Sequence, residues 1–340
     1  MITILQNISL KDKNTFAVDS KAKYYAEIEN EYQIHSLLET NAFQESRRYF
    51  LGEGSNTLFV DDFDGIVVRL ANQQFRIVEN TKSFVIVEVG AGLQWHRFVQ
   101  VALNNKFYGL ENLALIPGTI GGAVTQNIGA YGVELNEFVE EVRGVDINSG
   151  EFVNLPNQEC KFGYRTSIFK TLWKGRFLIT SAKFRLLRKP RVNLTYPELS
   201  KSIKKLPFIK PSPKEVFETV VKLRQMKLPD MKAYPNAGSF FKNPIINTEA
   251  LEKLRNKYPD VPSFQVDDNN YKVPAGWLIE RAGWKGKRIG NVGTYDKHAL
   301  VIVNYGVSKG KEILEFARNI QQDIKDKFDI DLEFEVEIVE

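Results

Sequence analysis

Three kinds of residue in this chain could do chemistry, and each also has an ordinary explanation. Arg165 lies in Phe162-Gly163-Tyr164-Arg165-Thr166-Ser167, flanked by polar groups. A guanidinium there could clamp a carboxylate through two parallel N–H donors, although surface arginines are common. Ser239 sits in Asn236-Ala237-Gly238-Ser239-Phe240-Phe241-Lys242-Asn243. It lacks a Gly-x-Ser-x-Gly elbow and has no histidine nearby in sequence to act as base. Acyl transfer is therefore disfavoured, and a capping or turn serine stands beside any catalytic role. Near the C-terminus Ile330, Leu332, Phe334, Val336 and Ile338 alternate with Asp331, Glu333, Glu335 and Glu337. The alternation predicts one strand over 330–338, with its acids repeating about every 6.5–7 Å along one face. That face is either solvated or aims a carboxylate into a cleft.

Backbone is a second source of chemistry. Between Leu113 and Val133 the segment LALIPGTIGGAVTQNIGAYGV has no charged side chain, in a protein that is 26% charged. It holds Gly118, Gly121, Gly122, Gly129 and Gly132. Glycine costs roughly 0.5–1 kcal/mol against alanine inside regular structure, so such a cluster marks chain that turns tightly or approaches something closely. A large, flat, anionic ligand would suit it. A second turn, Gly52-Glu53-Gly54-Ser55-Asn56, has some look of a dinucleotide fingerprint. Thr57 takes the third glycine position, however, and no long helix follows. A Rossmann site is thus disfavoured, and without Gly-Lys-Ser/Thr there is no P-loop. Turn amides still make anion nests without a helix. Alone, GEGSN reads as a hairpin turn; beside the second stretch, a pyrophosphate cradle is equally open.

Composition narrows the classes. A chain of 340 residues, 43% hydrophobic, has room for about two domains and a real core. With 46 basic and 42 acidic residues the net charge is +4, and no basic run could track a phosphate backbone, so nucleic acid is not expected. Cys160 is the single cysteine, which excludes an internal disulfide and suits a reducing compartment such as the cytoplasm. His35, His96 and His298 show no metal-ligand spacing. The start, MITILQNISLKDKN, lacks the basic and then apolar pattern of a secretory signal. Pro117, Gln126, Asn127 and the glycines would leave backbone unsatisfied in lipid, so the uncharged stretch is no membrane span.

The elements that must carry these groups follow from periodicity and punctuation. Strands are predicted at 46–50, 57–60, 66–70, 84–89, 139–147, 177–187 and 300–303. Helices are predicted at 95–106, with Phe98, Val101 and Ala102 on one stripe, at 250–257 and at 277–282. Ser212-Pro213-Lys214-Glu215 is a capping box with proline at the first helical position. It opens a helix through Val216, Val220 and Leu223 that stops before Pro229. Ile313, Ala317, Ile320, Ile324 and Phe328 make an amphipathic helix. The domain boundary is placed just upstream of the capping box, at 205/206.

Singly these residues do not name a reaction. Together they resemble one family, the UDP-N-acetylenolpyruvoylglucosamine reductases, over nearly the full length. The matching motifs are GEGSN at Gly52, GLENLALIPG at Gly109, QNIGAYGVEL at Gln126, FGYRTSIFK at Phe162, KLPD at Lys227, AGSFFKNP at Ala237 and AGWLIERAG at Ala275. One could be chance; seven in order are not. The resemblance implies an α+β protein. An FAD-binding domain of the vanillyl-alcohol-oxidase (PCMH) type, built from two α/β subdomains, is expected at 1–205. A smaller α+β substrate-binding domain follows at 206–340, its last strand returning to the active site. Gly52, Glu53, Gly54, Ser55, Asn56, Pro117, Gly118, Thr119, Gly121, Gly122, Ala123 and Asn127 would then hold FAD, with backbone amides on the pyrophosphate, and Arg224 would contact the flavin.

The resemblance also implies the reaction. In the family NADPH reduces the flavin, and UDP-N-acetylglucosamine-enolpyruvate then binds in the same place. Hydride passes to the β carbon and a proton to the α carbon, completing UDP-N-acetylmuramate. Matched to the family motifs, Ser239 is the proton donor. Arg165 and Glu335, the latter protonated or sharing a proton, stabilise the enolate-like charge. Lys227 and Asn243 serve the diphosphate, and Tyr131 and Tyr164 lie near the ligand. Tyr196 matches the loop tyrosine of the family form with an extra insertion. His298 is a ligand contact or lies just behind one. Two residues depart from the usual pattern: Glu337 stands where the family often has arginine, and His298 where relatives also carry a polar amide. A different flavin oxidoreductase, such as an alcohol oxidase, and a non-catalytic nucleotide-sugar binder are the competing readings. No histidine flanks the glycine loops for covalent flavin attachment, and Ser239, Arg165 and Glu335 are all present. A monomer without metal is expected.

Overall fold

The computed structural model describes residues 2–205, 210–307 and 309–340. Residue 206, where the second domain was expected to begin, lies outside the described residues. Contacts divide the chain into two compact units. The first comprises Met1–Ile8, Ala22–Glu53 and Asp64–Met226; the second comprises Ser9–Lys21, Gly54–Phe63 and Lys227–Glu340.

The first unit is organised by a five-stranded antiparallel sheet. Its order is Glu151–Pro156, Val139–Asp146, Phe177–Leu187, Phe84–Gly90, Phe75–Asn80. Phe177–Leu187 is the central strand: its first six residues are all buried, and apolar–polar alternation appears only from Ala182 onward. The helix Trp95–Asn104 buries Trp95, Phe98, Val99 and Ala102, a stripe at helical spacing. Val101, expected on that stripe, is only half-buried because the stripe runs through Val99 instead. Trp95 and Phe98 both pack on Phe184, with ring centroids 6.0 and 4.9 Å away, which fixes the helix to the central strand. A four-stranded sheet carries Ile4–Ser9, Lys21–Ile28, Phe63–Leu70 and Arg47–Leu51 in that order, the last two parallel.

Some elements here had no signal in the sequence. Phe75–Asn80 is a mostly exposed edge strand, and Ile120–Gln126 is a short helix with two glycines inside the uncharged stretch. Neither has the periodicity that marks an element, and so short a helix is held by tertiary packing alone. The predicted capping box is present in full. Ser212 N–H donates to Glu215 Oε2 at 2.6 Å and Glu215 N–H donates to Ser212 Oγ at 3.3 Å, opening Pro213–Lys227.

The second unit has a four-stranded antiparallel sheet, ordered Asn236–Ser239, Val301–Asn304, Val292–Thr294, Arg288–Ile289. The helix Gly310–Phe328 buries Ile313, Ala317, Ile320 and Ile324 completely, as the amphipathic pattern predicts. The strand expected over 330–338 does not form as one piece. Phe334 makes an isolated bridge to Phe241, the chain bends at Glu335 and Val336, and regular pairing begins only at Glu337–Val339, parallel to Thr57–Phe59. The N–H groups of Glu335 and Val336 both aim at Phe240 O, at 2.8 and 3.5 Å, so one residue is extra in the register. Ile330, Leu332 and Val336 are buried as the alternation requires, but Val339 then takes the place expected for Ile338. Among the described residues no helix is long and apolar enough to cross a membrane.

Candidate active site

In the first unit the two glycine segments meet. The carboxylate of Glu53 accepts from Gly118 N–H at 2.9 Å through one oxygen and from the Gln94 amide through the other. Glu53 therefore ties the loops together. A Cβ on Gly52 would lie 2.9 Å from Thr119 Oγ1, and one on Gly121 would lie 3.2 Å from Ala91 Cβ. Those two glycines are required by close packing of the protein on itself. Gly122 differs: it is exposed, and a Cβ there would meet nothing nearer than Thr119 Oγ1 at 3.9 Å. Bare backbone facing open space fits approach by a ligand. Gly118, with φ of 105°, has a conformation open to glycine, and Pro117 precedes it. Thr119 and Ala123 are buried in the turn that opens the short helix Ile120–Gln126. Gly122 thus leaves open space, and Glu53 fixes the loops among which FAD was expected.

Asn127 ends that helix in the left-handed region with its side chain fully buried. Its amide donates to Glu134 Oε2 and Gly163 O, both at 3.0 Å, and its oxygen accepts from Asn136 N–H at 3.0 Å. The side chain is thus committed to holding three loops. One of them is the hairpin closed by the bridge between Gly163 and Thr166, with Tyr164 and Arg165 at its tip. Ser167 Oγ donates to Thr125 O at 2.7 Å and staples the same hairpin to the helix. Arg165 has φ of 56° and donates through Nη2 to Gly129 O at 2.8 Å. A left-handed non-glycine residue costs about 1–2 kcal/mol, a kind of strain that clusters at functional sites.

Around Arg165 the unit gathers further expected residues. The charge of Arg165 acts on Arg224, whose guanidinium is held below its usual pKa first by burial and then by that neighbour. Tyr131 also has positive φ, and burial pushes its hydroxyl up to about 12, with Arg224 opposing. Its ring meets Tyr196 edge-on, centroids 5.3 Å apart. Asn112, which the sequence reading passed over, donates to Tyr131 O at 2.8 Å and Asn193 O at 3.0 Å and so docks the Tyr196 loop. His96 was also missed. Its Nδ1 accepts from Leu115 N–H at 2.9 Å, while Arg224 Nε donates to Leu115 O at 3.3 Å. The only sequence signal for Asn112 was its place inside the GLENLALIPG segment, and His96, in the helix Trp95–Asn104, lay outside every motif.

The second unit holds the rest. Gly54 has φ of 64°, and a Cβ there would lie 2.3 Å from Lys13 O, so the turn is glycine by necessity. Half-buried Ser55 and Asn56 lead from it into Thr57–Phe59. Ser239 ends the strand Asn236–Ser239, and the next residue, Phe240, accepts the N–H of Glu335 at 2.8 Å. Lys242 N–H donates to Glu333 O at 2.9 Å, extending the pairing. Main-chain pairing therefore joins Glu335 to the residue that follows Ser239. Asn243 Oδ1 accepts from Ala275 N–H at 2.9 Å, joining AGSFFKNP to the start of the helix Ala275–Arg281. Lys227 is exposed at the end of Pro213–Lys227, and half-buried His298 caps the turn before Val301–Asn304, accepting from Val301 N–H at 3.0 Å. Among the described residues no cluster of His, Cys, Asp and Glu could hold a metal ion.

Comparison with known proteins identifies two domain families in the chain. Residues 22–156 match the FAD binding domain family, and residues 229–339 match the family described as UDP-N-acetylenolpyruvoylglucosamine reductase, C-terminal domain. A UDP-N-acetylenolpyruvoylglucosamine reductase of Flavobacterium johnsoniae is 40% identical, covering 99% of this chain and 99% of that one. One from Chromobacterium violaceum is 40% identical over 96% of each. The crystal structure of UDP-N-acetylenolpyruvylglucosamine reductase (MurB) from Thermus caldophilus aligns with a TM-score of 0.69 at 25% identity, covering 100% of this chain and 99% of that chain. The α+β class and the FAD-binding front half are thereby borne out. With relatives this similar along its whole length, the chain belongs to the UDP-N-acetylenolpyruvoylglucosamine reductase family.

Proposed function

We propose that this protein is the NADPH-dependent flavoenzyme that reduces the enolpyruvyl group of UDP-N-acetylglucosamine-enolpyruvate to give UDP-N-acetylmuramate. It acts as a cytoplasmic monomer in bacterial cell-wall synthesis, and through that in cell shape and division. The observation that carries the reading is full-length membership of the family, supported by the hydrogen bond from Glu335 N–H to Phe240 O, next to Ser239 in the chain. Residues 1–205 form the FAD-binding region and 206–340 the substrate-binding domain.

Bound FAD, reduced by NADPH, supplies a hydride to the β carbon of the enol ether. Negative charge then gathers on the α carbon and its carboxylate. Arg165, a fixed cation on a stapled hairpin, holds that carboxylate, and Glu335 stabilises the same charge. Ser239 delivers the proton to the α carbon. A serine hydroxyl is a poor acid in water, so the site must lower its effective pKa or relay a proton to it. Lys227, Asn243 and Tyr196 serve the diphosphate, Tyr131 and Tyr164 line the approach, and His298 stands at or just behind the ligand. The glycine segments and Arg224 hold the cofactor.

Purified protein should be yellow and should bleach on adding NADPH alone under anaerobic conditions. Ser239→Ala should leave that bleaching nearly intact but slow reoxidation by the enolpyruvyl substrate by about 10²–10⁴-fold, the range of general acid catalysis. Stopped-flow absorbance separates the two steps. Equal damage to both would contradict the role of Ser239, and colourless protein that cannot be reconstituted with FAD would remove the whole reading.

A further inference from the structure

We propose that Asn56 is a positioning residue for Glu335, fixing the peptide from which the carboxyl group projects. The proposal rests on the reading of Glu335 as a catalytic group. Asn56 Nδ2 donates to Glu335 O at 2.9 Å, and Asn56 O accepts from Glu337 N–H at 2.9 Å. One residue thus grips the C-terminal segment at two points, one on each side of Val336.

The geometry at the bend gives the grip its purpose. Glu335 lies where the ladder is interrupted, because its own N–H and that of Val336 share Phe240 O. A carbonyl at such a bulge has no strand partner opposite it, and an unpaired buried carbonyl is costly. The Asn56 amide supplies the donor that the ladder lacks. With Phe240 O on its N–H side and Asn56 Nδ2 on its C=O side, the Glu335 peptide is held at both ends. Asp at position 56 would set a carboxylate against the Glu335 carbonyl, and Ser would not reach as far. Asparagine at the end of GEGSN therefore answers to the acid it anchors, and not only to a flavin.

The test uses the holoenzyme with Asn56→Ala and Asn56→Asp, each checked for a native melting transition and FAD content. Both variants are assayed with FAD saturating, because Asn56 also lies in the segment that holds FAD, and bleaching by NADPH should slow less than reoxidation does. Reoxidation by UDP-N-acetylglucosamine-enolpyruvate should slow by roughly tenfold, the scale of one lost hydrogen bond. In the Glu335→Gln background the same Asn56→Ala change should alter reoxidation by less than about twofold, since residues acting through one another are not additive. Loss of FAD affinity with equal slowing of both steps would make Asn56 a flavin ligand and overturn the proposal. Full additivity with Glu335→Gln would overturn it as well. Failure of the parent enzyme to be reoxidised by that substrate would instead defeat the functional reading, so the two failures are distinguishable.

Discussion

Leu115 is held from two sides, by His96 at its N–H and by Arg224 at its carbonyl, and it adopts φ of 58°. His96 can accept that N–H only as the neutral imidazole. Burial, and then the charge of Arg224, lower its pKa, and its ring stacks on Phe217. In the unfolded chain a histidine titrates near pH ~6.5. The folded pKa is the lower one, so this contribution to stability is complete above about pH 6.5 and is lost as pH falls through the folded value. Urea midpoints should fall as pH drops below about 6.5 for the parent, and less steeply for His96→Asn, which keeps an acceptor without the titration. An identical slope in both proteins would exclude His96 as the source. Arg165→Lys should lose most turnover, because a point charge does not reproduce a guanidinium fork; near-normal turnover in steady-state assays would count against the clamp. Burial pushes the Cys160 thiol up to about 12, so it should resist alkylation until the protein unfolds.

At the scale of elements, the helix Gly310–Phe328 begins almost on top of the strand Thr57–Phe59. A Cβ at Gly310 would lie 2.0 Å from Phe59 O and 2.9 Å from Leu58 Cδ1. That strand is the parallel partner of Glu337–Val339. Gly310→Ala should therefore destabilise the protein by at least the ~1–3 kcal/mol typical of overpacking, read as a lower urea midpoint. Ser212→Ala removes half of the capping box and should cost about 0.5–2 kcal/mol by the same measurement. The capping box and the amphipathic helix were legible because both are local, a matter of spacing within a few turns. The strand over 330–338 was equally regular on paper and still broke at Glu335. Its partner at Phe240 and Phe241 lies far away in sequence, and no local pattern records where a distant register gains a residue.

For the whole molecule, the family and its FAD-binding domain were legible because seven short motifs keep their order along the chain. Which glycine serves packing and which leaves room for a ligand was not legible: Gly52 and Gly121 meet neighbouring atoms of the protein, whereas Gly122 faces open space. Asn127, expected to hold the cofactor, spends its side chain on three loops. Sequence by itself determined the periodic helices, the capped helix start, the class of fold and the residue types that the reaction needs. Only the tertiary structure decided that Asn56 and Glu335, 279 positions apart, share a hydrogen bond, and that Glu335 pairs with Phe240. Periodicity is a property of neighbours along the chain, whereas a hydrogen bond between distant segments exists only once folding has closed the loop between them.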